Sequence, residues 1–277
     1  MLKIGCHLSI SKGYYKAALE ALSIGANTFQ FFPRNPRGGR AKDLDLEDID
    51  KLQRLMKEHN FAPLFVHGAY TMNLASDKEH VRDFAKGILQ DDLKRIETIS
   101  NCYYIFHPGS HVGQGADKGI EFIIDALNQI IKEDNKVTIL LEGMSGKGTE
   151  IGRSMEELKT IIDGVKHNEN LGICIDTCHL YSAGYDIVRD LDGVLQEIDR
   201  VLGIHRLKAV HLNDSKVEFA SNKDRHEIIG EGTIGLSTII KVINHPLLRD
   251  LPFNLETPNE PIDHKDEIEL LRKEYKK

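Results

Sequence analysis

The 277-residue chain reads as an α/β protein, a single (β/α)8 TIM barrel spanning 1–277. Three observations predict it. Short apolar, β-rich runs alternate eight times with segments of helical periodicity, which implies parallel β-α-β units. No linker, low-complexity stretch or break in composition divides the chain. Several of the apolar runs end in a residue able to bind metal, as expected of a barrel whose active site lies at the C-terminal ends of its strands.

In chain order, the first two candidate strands span 3–8 and 27–32. Ile49, Leu52, Leu55 and Met56 then repeat at intervals of three and four, the apolar face of a helix. Runs at 63–67 and 103–107 follow, then a second helical face of Ile120, Ile123, Ile124, Leu127, Ile130 and Ile131. The fifth run is 138–142, and Ser154 with Glu157 three residues later makes a capping box that opens the next helix. After the run at 172–176, the face of Val194, Leu195, Ile198, Val201 and Leu202 stops at Gly203, a residue suited to a helix C-terminus. The last two runs are 207–212 and 253–256.

Composition narrows the function classes. With 40% hydrophobic and 29% charged residues, and no run near the ~18 apolar residues of a membrane span, no membrane role is expected. The N-terminal MLKIGCHLSIS lacks the basic, apolar and small-residue order of a signal peptide, so a cytoplasmic protein is expected. Cys6, Cys102, Cys174 and Cys178 form no C-x-x-C pair, which argues for buried free thiols over a disulfide framework or a thiolate zinc knuckle. The formal charge of −7 argues weakly against a polyanionic partner.

Nine candidate ligands carry the functional signal: His67, His107, Glu142, Asp176, His179, His211, Asp224, His226 and Glu256. By the two-residue period of a strand, Glu142 shares a face with Leu140, Asp176 with Cys174 and His211 with Ala209, so each points inward at the barrel rim. One turn after the sixth strand would bring His179 beside Asp176, while Asp224 and His226 lie on one side of an extended loop. An unpaired buried carboxylate costs on the order of ~3 kcal/mol or more, and cations supply the missing partners for Glu142 and Asp176. Nine ligands are too many for one metal. His59, His80, His167, His205, His245 and His264 read as surface residues, while His7 and His111 are only candidates for supporting the ligands.

At these positions the chain resembles the endonuclease IV family of DNA repair enzymes. The resemblance covers nearly the whole chain. It rests on FHPGSH at 106–111, CIDTCH at 174–179, HLNDSK at 211–216, DRH at 224–226 with IGEGTIG at 229–235, and LET at 255–257. It implies one zinc at His67 and His107 with Glu142 bridging to a second, which is completed by Asp176, His211 and Glu256. A third zinc is implied at His179, Asp224 and His226. Mn²⁺ or Fe²⁺ would be tolerated at some positions. The implied reaction is hydrolysis of the phosphodiester 5′ to an abasic site in duplex DNA by a monomer, leaving 3′-hydroxyl and 5′-deoxyribose-phosphate ends. Metal coordination lowers the pKa of water from about 15.7 toward ~7, and Glu142 is the implied catalytic residue that positions the nucleophile. Arg37 and Tyr70 match positions that enter or line the DNA.

Three Zn²⁺ would bring −7 to about −1, and basic residues gather on two catalytic-face loops: Arg34, Arg37, Arg40 and Lys42, then Lys216, Lys223 and Arg225. Two departures bear on substrate discrimination and ligand support. Gly38 and Gly39 stand where better-known members have glutamine and tryptophan, and Gly143 to Gly146 read GMSG where the family commonly has Asn-Thr-Ala-Gly. Gly230, Gly232 and Gly235 spell G-x-G-x-x-G but follow a ligand-bearing loop rather than a first strand, so a DNA phosphate contact is expected there and not a dinucleotide site. Two rival readings stand beside the nuclease. A single-metal sugar isomerase or epimerase would need only Glu142, Asp176, His211 and Glu256, and a non-catalytic damage-binding protein would hold zinc without turnover.

Overall fold

The computed structural model describes residues 1–37 and 39–276. Its main sheet has strands β1 (Ile4–Cys6), β2 (Gln30–Phe31), β3 (Leu64–His67), β4 (Cys102–Phe106), β5 (Thr138–Glu142), β6 (Leu171–Asp176), β7 (Leu207–His211) and β8 (Phe253–Leu255). From β2 to β8 each pairs in parallel with its neighbour in sequence, and β8 pairs back onto β1. The seam between β1 and β2 is closed by a single bridge from His7 to Gln30, beside which the Leu8 amide donates to the Gln30 carbonyl at 2.8 Å. All eight expected strands are present, as a barrel.

Helices α1 (Tyr14–Ser23), α2 (Leu46–Glu58), α3 (Glu79–Ile96), α4 (Ala116–Ile130) and α5 (Met155–Gly164) follow the first five strands. Two follow β6, the short α6 (Thr177–Ala183) and α7 (Leu191–Leu202), before α8 (Leu236–Asn244) and α9 (His264–Glu274) complete the outer layer. Their apolar stripes are the expected ones. Ile49, Leu52, Leu55 and Met56 are all buried on α2, as are Val194, Leu195, Ile198, Val201 and Leu202 on α7. The Glu157 amide donates to the Ser154 hydroxyl at 3.2 Å to open α5, while the Glu157 carboxylate accepts from Gly152 and Arg153 instead of returning to the cap. Gly203, at φ 80°, ends α7. All four cysteines are free thiols, Cys102 only half-buried, and among the described residues no helix is long and apolar enough to cross a membrane.

The strands sort their side chains by period two. Phe65, Ile105, Leu140, Cys174 and Ala209 form a small apolar cluster inside the barrel, while Leu64, Val66, Tyr104, Phe106, Ile139, Leu141, Ile173 and Ile175 join the larger core beneath the helices. Advancing two residues from the inner cluster reaches His67, His107, Glu142, Asp176 and His211. A register shift at Ile173–Cys174 sets Ala209 opposite Cys174 and Asp176 opposite His211. That irregularity keeps the β7 ligand level with its neighbour.

Gly5 faces the barrel interior across the seam, where a Cβ would lie 1.9 Å from the Thr28 carbonyl oxygen. No rotamer relieves a clash with backbone, so the strands would have to part. Gly5→Ala is predicted to cost about 3 kcal/mol or more, at the top of the range for overpacking. Chemical denaturation of the two proteins measures it, and an unchanged midpoint would show that the seam tolerates separation.

Candidate metal centre

Glu142 ends β5 with 1% of its surface exposed, and its carboxylate meets imidazoles from four elements. Oε2 lies 3.1 Å from His67 Nε2 and 3.4 Å from His107 Nε2, while Oε1 lies 3.0 Å from His211 Nδ1 and 3.4 Å from His179 Nδ1. Burial pushes the carboxyl up, but His211 and His107 beside it hold it well below the usual carboxylate range. Burial alone would keep His211 and His179 neutral. The groups around them (Cys174, Glu256 and Glu142 at His211, Asp176, Asp224 and Glu142 at His179) nevertheless raise both well above the ordinary imidazole value. Such mutual perturbation is typical of a functional site.

Ligand atoms fall into three groups, the atoms within each group lying within 4.8 Å of one another: His67, His107 and Glu142; Glu142, Asp176, His211 and Glu256; Asp176, His179 and His226. The first two are the expected sets. The third differs by including Asp176, which therefore stands between the second and third groups as Glu142 stands between the first and second. Asp224 belongs to this corner too, its Oδ1 lying 3.4 Å from Nε2 of both His179 and His226. Those two Nε2 atoms are buried with no hydrogen-bond partner. Orphaned imidazole nitrogens facing a carboxylate are what a divalent cation satisfies, so the donor set fits zinc or a similar ion.

Local structure aims each ligand. Asp176 is the N-cap of α6: its Oδ1 accepts the His179 amide at 2.9 Å, which turns that side chain into the cluster one turn later. His226 is placed by a short antiparallel ladder in which it pairs with Ser215. His67 Nδ1–H donates to the Gly68 carbonyl at 2.8 Å, His179 Nδ1–H to the Gly143 carbonyl at 3.1 Å, and His226 Nδ1–H to the Glu256 carbonyl at 3.1 Å, leaving Nε2 of each for a metal. The unusual GMSG segment thus supports His179 through backbone, which a glycine provides as well as any residue.

Three polar residues near the ligands were not read from the sequence. Asn213 Nδ2 donates to Asp176 Oδ2 at 2.7 Å and its Oδ1 accepts the Glu256 amide at 2.8 Å. Gln30 touches His211 and Glu256. Asp214, fully buried, accepts the amides of Gly230, Gly232, Ile234 and Gly235, while those of Glu231 and Thr233 go to the carbonyls of Ile228 and Ser215. The expected phosphate contact at this glycine motif is therefore corrected. Every amide from 230 to 235 is already taken, and a Cβ on Gly232 would sit 2.4 Å from Asp214 Oδ1, so the glycine lets the loop wrap a carboxylate. The signal was present, since Asn213 and Asp214 directly follow the ligand-bearing strand; Gln30 is a lone amide in the apolar run Phe29 to Phe32.

The remaining expectations divide. Tyr70 is 60% exposed, its ring 5.8 Å from that of His67 and 6.0 Å from that of His107, so it overlooks the first metal group. Arg37 is exposed on the loop after β2, its amide on Asn35 Oδ1, and Gly38 lies outside the described residues. Arg34 is corrected from a surface base to an internal one. It binds Asp91 and the fully buried Asp92 at 2.5 and 2.7 Å and ties the loop to α3. His7 contacts Gln30 through Nδ1 at 3.2 Å, and burial lowers its pKa to about 4, so it supports the ligands as a neutral ring. His111 instead accepts the amides of Gly113 and Gly115, away from the metal groups. Of the six histidines read as surface, His59, His80 and His205 are exposed and His167 and His245 half-buried. His264 is buried against Glu267 and Thr257, because the first turn of α9 folds over the loop after β8.

A family model described as a xylose isomerase-like TIM barrel matches residues 18–274. A protein of Methanosphaera stadtmanae named probable endonuclease 4 is 58% identical over 276 residues, covering 100% of both chains. The chain belongs to the endonuclease IV family. A probable endonuclease 4 of Alkaliphilus oremlandii is 57% identical over 276 residues, covering 100% of this chain and 98% of that one. The crystal structure of endonuclease IV from Thermus thermophilus superposes with a TM-score of 0.87 at 32% identity, covering 98% of each chain.

In this member of the endonuclease IV family the raised imidazoles set a pH dependence. His179 and His211 contribute stability to the metal-free fold that is complete below about pH 6.5 and is lost as pH rises through their raised values. A metal must displace those protons, so its affinity rises with pH, and a ligand that binds only the folded state adds stability with affinity. The depressed Glu142 loses its contribution only in acid and leaves this window untouched. The gap in Tm between zinc-loaded and chelated protein is therefore predicted to widen from about pH 6 to about pH 8, on either side of the raised groups' ordinary value. Scanning calorimetry measures it; a flat or narrowing gap would contradict the proton competition.

Proposed function

We propose that the chain hydrolyses the phosphodiester 5′ to abasic sites in duplex DNA, with three zinc ions held by the nine residues named above. The observation that carries this reading is the convergence on Glu142 of His67, His107, His179 and His211, with a second carboxylate, Asp176, shared between two ligand groups. The bound cations would act as Lewis acids, lower the pKa of water and neutralise charge on the phosphodiester. Glu142 contributes a dry carboxylate that orients the attacking water and accepts its proton. The products would be 3′-hydroxyl and 5′-deoxyribose-phosphate ends.

Tyr70 stands at the open edge of the first group, positioned to pack on the sugar beside the lesion and to keep bulk water from it. Arg37, Arg40, Lys223 and Arg225 are exposed on loops of the same face and suit the DNA backbone, whose binding is dominated by such contacts. A single-metal sugar isomerase would use only Glu142, Asp176, His211 and Glu256. It leaves the two orphaned imidazole nitrogens at His179 and His226, and the paired His67 and His107, without a task.

Incision of an end-labelled duplex with one abasic analogue, beside an undamaged duplex and with bound metal quantified, tests the proposal. The expected result is one cut 5′ to the lesion with about three metals bound, and a fall of at least ~10³-fold in rate for Glu142→Gln, within the range for removing an electrostatic or proton-transfer group. No cut with three metals bound would move the reading to another phosphoester or to a damage-binding role, and a single bound metal would favour the isomerase.

A further inference from the structure

Gln30 is fully buried and lies on β2 at the barrel seam, where its backbone bridges His7. Its side-chain amide reaches two ligands of one metal group. Gln30 Oε1 lies 2.8 Å from His211 Nε2, and Gln30 Nε2 donates to Glu256 Oε1 at 2.5 Å, with His7 Nδ1 a further acceptor at 3.2 Å. The orientation of the amide follows from chemistry. A carboxylate only accepts, so the NH2 must face Glu256 and the oxygen must face His211. His211 Nε2–H therefore donates to Gln30, and with a metal bound it is Nδ1, the nitrogen 3.0 Å from Glu142 Oε1 and 3.4 Å from Glu256 Oε2, that would give up its proton and turn its lone pair to the ion.

We infer that Gln30 is a positioning residue for the metal group of Glu142, Asp176, His211 and Glu256: it fixes the His211 tautomer and the Glu256 carboxylate from one rigid plane. Among side chains of its length only glutamine joins an acceptor to donors in this way. A glutamate would serve His211 but repel Glu256, and a methionine would serve neither. Asn213 supports Asp176 from the other side and reaches Glu256 only through its backbone, so it does not duplicate the role. The inference rests on the metal-centre reading above.

The test is metal affinity by chelator competition on the full chain, with ¹H–¹⁵N spectra of the imidazole N–H groups, for Gln30→Met and Gln30→Glu. Loss of such an outer contact typically weakens metal binding 10–100-fold, so about that loss is expected for one ion in Gln30→Met, with the others unchanged. The slowly exchanging Nε2–H signal of His211 disappears in Gln30→Met and persists in Gln30→Glu, while Gln30→Glu still loses affinity for that ion. A merely structural residue would not divide the two readouts between the variants. Unchanged affinity in both variants, or an equal loss across every ion, overturns the inference, and if Gln30→Met does not fold, the affinity and spectrum of Gln30→Glu decide it. A wild-type chain holding only one ion would overturn the three-ion reading instead, leaving Gln30 to be judged on that ion.

Discussion

The rim of this barrel is organised around a carboxylate that has left water. Glu142 is enclosed by imidazoles from β3, the end of β4, α6 and β7, and without positive charge beside it a group buried to that degree would not stay ionised. The imidazoles alone meet that need only by holding protons. Cations meet it by releasing those protons and taking both sets of lone pairs, which is why ligand geometry and charge balance lead to the same conclusion. Asp176 repeats the pattern one strand on, at once the cap of α6, the partner of Asn213 and a member of two ligand groups.

A second tier of buried polar groups holds the ligands still. Asp214 gathers the loop that joins the His226 ladder to α8 by accepting four of its amides. Glu267, on α9, accepts the Ile229 amide, the Thr257 hydroxyl and the Asn259 side chain, bracing the segment just after Glu256. Each is a carboxylate surrounded by donors, which satisfies it without a metal and distinguishes it from Glu142. Rigid support of this kind matters for catalysis because reacting groups displaced by about 1 Å can lose ~10²-fold in rate.

The fold and the convergence of the candidate ligands were legible in the sequence for the same reason. A strand alternates its faces by two, so Leu140 in the interior dictates Glu142 at the rim, as Cys174 dictates Asp176 and Ala209 dictates His211; the period does not show the register shift at Ile173–Cys174 that sets Asp176 opposite His211. Residues on irregular backbone were harder. Arg34 looked like a surface base because nothing local shows that Asp91 and Asp92, almost sixty residues on, await it. The glycine motif looked like an anion cradle because it is one, but the anion is Asp214 of the chain itself. Gln30 was passed over because a neutral amide within an apolar run carries a smaller desolvation penalty than the charge that made Glu142 conspicuous, and its partners come from β7 and the end of β8 at the far end of the sequence.

Anomalous diffraction at the zinc edge, on crystals of protein purified without chelator, tests the proposed three-ion centre. Three peaks are expected: one at His67, His107 and Glu142, one at Glu142, Asp176, His211 and Glu256, and one at His179, His226 and Asp224. A single peak at the middle group, or ions that leave the Nε2 atoms of His179 and His226 without a ligand, would contradict it.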